Sequence, residues 1–242
     1  MATSARRLRD IQQREELILD VARGMLIESG YLGLNMDRIA EATEYSKGTI
    51  YQHFSCKEEV MIALCIQNVE KQVGLFEHAA MFQGRSRERL SAIAEAFEIF
   101  VQLYPQHFQI TQIIFSASIR DKTSVERQAH LQRSSDRLTA TMTGIIRDAI
   151  AQGDLHLPPW SSPEILTFGL WSMAFGAHVL MAADKPHDAL GIEEARDALY
   201  SNYHALLDGL GWRPLTREWD YQKTFERIRR EVFADEYRQL GT

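Results

Sequence analysis

Between positions 47 and 57 the chain reads Lys-Gly-Thr-Ile-Tyr-Gln-His-Phe-Ser-Cys-Lys. The stretch gathers an ammonium, a hydroxyl, a phenol, an amide and an imidazole around one glycine. These groups make no nucleophile–base–acid set. They are hydrogen-bond donors and cations, which is what phosphates and base edges accept. Lys47 can donate to guanine O6/N7 or to a phosphate, Thr49 can bond a base edge or meet a thymine methyl, and Gln52 can pair with adenine. Tyr51 and His53 suit phosphate oxygens, contacts that fix register without reading sequence, and Lys57 is a further phosphate candidate. Gly48 lets a backbone come close, while Ile50 and Phe54 can anchor the segment from below. Each polar residue taken alone fits a merely solvated helix face; their joint spacing favours a nucleic-acid surface.

Such side chains need rigid elements, and the flanking residues supply them. Asn35 can cap a helix carrying Ile39 and Ala40 on its buried face, since its side-chain oxygen can accept an N–H left unpaired at a helix start. A turn through Thr43, Glu44 and Tyr45 follows, and Ser46 stands where it can cap a second helix, Lys47 to about His53. Ser55-Cys56-Lys57-Glu58 fits a capping box for a third. A capped helix, a short turn and a capped polar helix form a helix-turn-helix, whose second helix enters the DNA major groove.

The segment resembles the DNA-binding head of the TetR family of bacterial transcriptional regulators. The resemblance rests on Ile39-Ala40, on Ser46-Lys47-Gly48-Thr49-Ile50-Tyr51-Gln52-His53-Phe54, and on Lys57-Glu58-Glu59-Val60. It covers about Leu17 to Leu64, and Asn35, Ser46, Gly48 and Lys57 enter the DNA-binding set through it. Two residues depart from the pattern: Glu44-Tyr45 stands where such regulators commonly carry Gly-Val, and Asn35 where they often carry threonine. A non-glycine residue at positive φ costs on the order of 1 kcal/mol. The family implies an all-α protein with a three-helix head, here 1–55, and a larger helical effector-binding and dimerisation body, here 56–242.

Composition agrees with a soluble globular protein of ordinary makeup, 45% hydrophobic and 25% charged over 242 residues. The formal charge of −6 is unevenly placed. Residues 1–57 hold equal numbers of basic and acidic side chains, so the whole deficit falls on the body. Arg6, Arg7 and Arg9 make a basic arm that can reach phosphates or a minor groove, or can simply be a solvated terminus. Cys56 and Cys65 have no metal-ligand spacing, and the N-terminus lacks the apolar run of a secretion signal, so a reducing cytoplasm is expected.

Along the chain, Ile18, Val21, Ala22, Met25 and Leu26 recur with helical spacing up to Gly30. Further helices are expected at about 55–82, 90–101, 105–119, 131–149, 162–184 and 193–210, with a polar amphipathic segment over 216–240. The run Ile165–Ala183 is long and apolar enough to span a membrane. Its Gly169, Ser172, Gly176 and His178, and the acidic flanks Glu164 and Asp184, point instead to a helix buried on all sides. In TetR-like proteins the last two body helices pair with their copies, so a homodimer through about 162–184 and 193–210 is implied, with Ser172 and Gly176 allowing close approach.

The family's apolar effector cavity suggests Phe97, Tyr104, Phe108, Phe115, Met142, Trp171, Phe175 and His178 as lining residues, although such a stripe more often fills a core. A small hydrophobic or aromatic effector is implied. No cofactor, metal site or catalytic motif stands out. The expected function is ligand-released repression from a near-palindromic double-stranded operator. An activator or co-repressor response, or a protein-interaction module that has given up DNA, remain as alternatives.

Overall fold

The computed structural model describes residues 2–116, 122–183 and 191–241, with side chains from position 6 onward and excluding 115 and 116. Eleven helices and no strands occur among the described residues. They are α1 (Ala2–Gly33), α2 (Met36–Thr43), α3 (Lys47–His53), α4 (Lys57–Ala80), α5 (Ser86–Leu103), α6 (Pro105–Ser116), α7 (Val125–Ala151), α8 (Pro163–Ala182), α9 (Ala195–Gly209), α10 (Tyr221–Glu231) and α11 (Ala234–Leu240). The chain packs as two compact units, Met1–Lys71 with Tyr104–Ser135, and Gln72–Leu103 with Asp136–Thr242. The expected head, 1–55, lies inside the first unit, which also takes in 56–71 and 104–135.

The first unit closes over one apolar core. Ile18, Ala22 and Leu26 from α1 meet Ile39 and Ala40 of α2, Ile50 of α3, Phe54, and Val60, Met61 and Leu64 of α4, with Ile110 and Ile114 of α6 completing it. Full burial of each large aliphatic contributes about 1.5–3 kcal/mol, so this core is what fixes the angle of α3. Gly30 adopts φ 63° and breaks α1 where the periodicity ended it. In the other direction α1 runs further than expected: residues 6, 7 and 9 are helical and not a loose arm. Tyr45 is half-buried against the core.

One cap differs from expectation. α4 begins at Lys57, and the Cys56 carbonyl accepts from the Val60 N–H at 3.4 Å. The Glu58 carboxylate does not turn back to Ser55. It accepts from the Tyr31 hydroxyl at 2.9 Å and from Lys122 Nζ at 3.3 Å. Burial pushes its carboxyl up, but those donors outweigh burial and hold it at about 2.

The second unit is built around α5, buried along most of its length, its own carboxylates included. The polar segment expected over 216–240 is two helices, α10 and α11, broken around Val232–Phe233, and both pack on α5. Within the chain it covers the polar side of α5. Arg87 is fully buried and donates to Asp208 at 2.6 Å, to the Trp212 carbonyl at 2.7 Å and to the Pro214 carbonyl at 3.0 Å. Buried Glu95 accepts from Tyr200 at 3.0 Å, from Arg229 at 2.7 Å and from the Tyr237 hydroxyl. Charges this deep are tolerated only when paired and hydrogen-bonded.

α8 is apolar along its length but only partly covered within the single chain. Ser162 caps it, accepting from the Ile165 N–H at 3.2 Å, and Pro163 opens the first turn. The helix is long and apolar enough to cross a membrane, yet only 22% of its apolar window is buried. Leu166, Leu170 and His178 face inward, while Ile165, Phe168, Ser172 and Leu180 are exposed on the other side. The single chain leaves an apolar face open rather than burying the helix all round.

Candidate functional site

The helix-turn-helix is stapled at each joint. Asn35 Oδ1 accepts from the Asp37 N–H at 2.8 Å and Ser46 Oγ from the Thr49 N–H at 3.1 Å. Both side chains of the expected DNA-binding set are thus occupied as helix caps. Between them Glu44 sits in the left-handed region at φ 58°, ψ 22°, and its N–H closes the end of α2 on Glu41 O at 3.2 Å. This is the strained non-glycine turn that the departure from Gly-Val implied. Phe54, directly after α3, is buried, and the Arg127 guanidinium lies 4.7 Å over its ring. Arg127 also pairs with Glu59 at 2.8 Å, so the start of α7 braces the helix from below. Sequence reading did not find Arg127, because nothing local marks a contact more than seventy positions away.

With Ile50 buried, α3 turns its polar side outward. Lys47, Gly48, Tyr51 and Gln52 are exposed, Tyr51 at 49%, while Thr49 and His53 are half-buried. Lys47 Nζ pairs with Asp37 Oδ2 at 2.7 Å, and that hydrogen bond holds its ammonium above the ordinary lysine range. Lys57 is placed differently: its Nζ lies 4.0 Å over the Tyr31 ring and 3.5 Å from the Tyr31 carbonyl. Gly48 is instructive. A Cβ there would approach nothing nearer than Ser46 Oγ at 3.7 Å, so the fold itself has no need of glycine at this exposed position.

The second unit contains a cavity of about 50 Å³, room for a few non-hydrogen groups. Four expected residues line it: Phe97, Met142, Trp171 and His178. Phe175 stacks near Trp171, ring centres 5.7 Å apart, without lining it. Tyr104 and Phe108 belong to the first unit, Tyr104 beneath Lys71 Nζ at 4.4 Å and Phe108 buried. The Phe115 side chain lies outside the described residues.

Sequence reading missed the polar part of this wall, Glu98 with Tyr200 and Tyr203. Two carboxylates inside the apolar run AEAFEIF were the available signal, since buried acids demand partners. His178 Nε2 lies 2.9 Å from Glu98 Oε2, and its Nδ1 lies 2.8 Å from the Ala174 carbonyl. Burial raises the Glu98 carboxyl, and the His178 contact together with Gln102 and Arg196 more than reverses it, leaving it below the usual range. Burial pushes both Tyr200 and Tyr203 well above the ordinary phenol range, so their hydroxyls stay protonated as donors.

The comparisons agree with this geometry. Residues 18–64 match the family model for bacterial regulatory proteins of the tetR family. The chain is 32% identical over 98 residues to the HTH-type transcriptional activator FasR of Mycolicibacterium smegmatis, a match covering 40% of this chain and 45% of that protein, less than half of its length. Its fold is similar to a bacterial regulatory protein in the tetR family from Rhodococcus RHA1, with TM-score 0.63 and 18% identity over 82% of this chain and 97% of that one. It is also similar to the transcriptional regulator FadR from Bacillus subtilis, solved in complex with stearoyl-CoA, with TM-score 0.59 and 17% identity over 76% and 95% of the two chains. With the helix-turn-helix and the matched domain in agreement, residues 18–64 are similar to the DNA-binding domain of bacterial regulatory proteins of the tetR family, and the all-helical architecture is similar to the fold of solved members of that family.

Proposed function

We propose that the protein is a cytoplasmic repressor that binds a near-palindromic operator as a homodimer and leaves it when a small apolar effector occupies the second unit. The observation that carries the DNA half is Gly48 beside Lys47, Tyr51 and Gln52: an exposed glycine without an internal reason, among donors aimed at solvent. Lys47, Thr49 and Gln52 read base edges, and Tyr51, His53 and Lys57 hold phosphates. A second copy covers the exposed α8 stripe, joined by α9, where Ala198, Ser201, Ala205 and Gly209 are small enough for close helix approach. The two copies of α3 then lie about 34–36 Å apart, one helical turn of DNA.

The effector enters the cavity between Phe97, Met142 and Trp171, and its polar end meets Glu98, His178 or Tyr200. At about 50 Å³ the cavity holds only a few non-hydrogen atoms, so a small aromatic or aliphatic effector must widen it, and a longer chain such as FadR's stearoyl-CoA must push the walls further apart. Release follows if the ligand prefers a body conformation in which α4 tilts and spoils the spacing, and only by as much as its affinities for the two states differ.

Thermal-shift screening with small aromatic and aliphatic compounds tests this, followed by DNA anisotropy with each hit. A hit that stabilises the wild type, fails on Trp171→Ala and lowers operator affinity supports release. Hits that tighten DNA binding establish a co-repressor response instead.

A further inference from the structure

The first unit carries a second positive surface beside α3 that the helix-turn-helix motif does not include. Residues 2–17 of α1 precede the matched domain at 18–64 and continue the helix outward. On that extension Arg7, Asp10, Ile11 and Arg14 line a groove whose other wall is Gln52 and His53 at the end of α3. Arg7 and Arg14 are seven positions apart, two helical turns on one face, about 10 Å along the axis.

Both guanidiniums are exposed, and neither is ion-paired among the described residues, although Asp10 lies in the same groove. Arg23, on the next turns of the same helix, shows the contrast. It is half-buried and bonded to Asp20 and to Gln67 at 2.7 Å. Arg127 in the same unit is likewise paired with Glu59 and with Glu15 at 3.1 Å. Arginines that serve this fold are thus engaged by it, and Arg7 and Arg14 are left for an anion from outside.

We infer that Arg7 and Arg14 form a phosphate-binding flank of the DNA interface, gripping the duplex backbone beside the bases met by α3. The occupant is double-stranded DNA because the groove is continuous with Gln52 and His53. A duplex lying on α3 brings a row of phosphates past the groove, and the planar fork of arginine matches a phosphate's paired oxygens. Phosphate contacts of this kind add affinity and salt dependence but no sequence preference. The helical extension holds the pair at fixed spacing, which a loose arm would not.

This inference rests on the DNA-binding reading, and one experiment separates them. Anisotropy of the full-length protein on its selected operator, across a salt series, gives the slope of log affinity against log salt. Arg7→Ala/Arg14→Ala removes four guanidiniums from a dimer, so the slope should shrink by roughly 3 to 4 while the preferred sequence stays the same. Arg7→Lys/Arg14→Lys should keep most of the slope. An unchanged slope in the alanine variant overturns the inference, as does an equal loss from Arg6→Ala/Arg9→Ala, which would mean a diffuse basic arm. A wild type that binds no duplex overturns the DNA reading and this flank with it.

Discussion

Lys47 at the start of α3 reaches back across the turn to Asp37 near the start of α2, Nζ to Oδ2 2.7 Å. The pair is open to water, where such bridges add little stability, so an approaching phosphate or guanine can take the ammonium from it. Lys47→Ala should therefore leave the melting temperature unchanged and weaken operator binding about ten- to a hundredfold. Calorimetry and anisotropy on the same preparation check both halves.

Gly48→Ala should separate folding from function. Alanine improves helix propensity by up to about 1 kcal/mol, and the added Cβ meets no protein atom within 3.7 Å. The variant should melt no lower than the wild type and still lose the operator, because the methyl group stands where the DNA backbone must come. Retained binding would remove the main reason for placing DNA against this face.

The left-handed Glu44 carries a cost of about 1 kcal/mol that a glycine would not. Glu44→Gly relieves it, offset in part by the extra freedom glycine gives the unfolded chain. A net gain of a few tenths to 1 kcal/mol is expected in denaturant unfolding. A loss would mean that the glutamate side chain contributes more than its backbone strain costs.

Within the first unit His107 Nδ1 donates to Asn68 Oδ1 at 2.6 Å, while Asn68 Nδ2 donates to the His107 carbonyl at 2.9 Å. Burial, with Arg23 and Lys71 nearby, holds the imidazole down to about 4. The folded state thus resists a proton that the unfolded chain accepts near 6.5. The stabilisation from a neutral His107 is complete above pH 6.5 and is lost as pH falls from 6.5 towards 4, on the order of 3 kcal/mol in all. His107→Gln should flatten the stability profile in that window, and an unchanged profile would contradict the assignment.

Phe168 and Leu180 lie on the outer face of α8, 64% and 57% exposed. Phe168→Asp/Leu180→Asp should leave the helical circular dichroism intact and convert a dimer to a monomer in sedimentation. Operator affinity should fall with it, since one head alone forfeits the second half-site. A wild type that sediments as a monomer would remove the dimer from the account.

The head was largely legible in the sequence because its signals are local. Asn35 and Ser46 cap the helices that their neighbours begin, and the apolar spacing from Ile18 to Leu26 ends at Gly30. What escaped depends on contacts distant in the chain. Glu58 looked like a capping partner for Ser55, but Tyr31 and Lys122 offer it stronger donors. Tyr104 and Phe108 looked like cavity walls because aromatic spacing does not say which unit a helix joins. Glu98 was overlooked because its partner His178 stands eighty positions away. The packing of the polar tail was not legible, since it depends on Arg229 and Tyr237 closing over Glu95, more than 130 positions away.

The central claim is that α3 reads DNA, and selection from random duplexes tests it most directly. The wild-type protein should enrich a near-palindromic site of about 14–20 base pairs, with half-sites one helical turn apart. Lys47→Ala/Tyr51→Ala, folded to the same degree, should enrich nothing. Enrichment of the same site by that variant, or none by the wild type with or without effector, would contradict it.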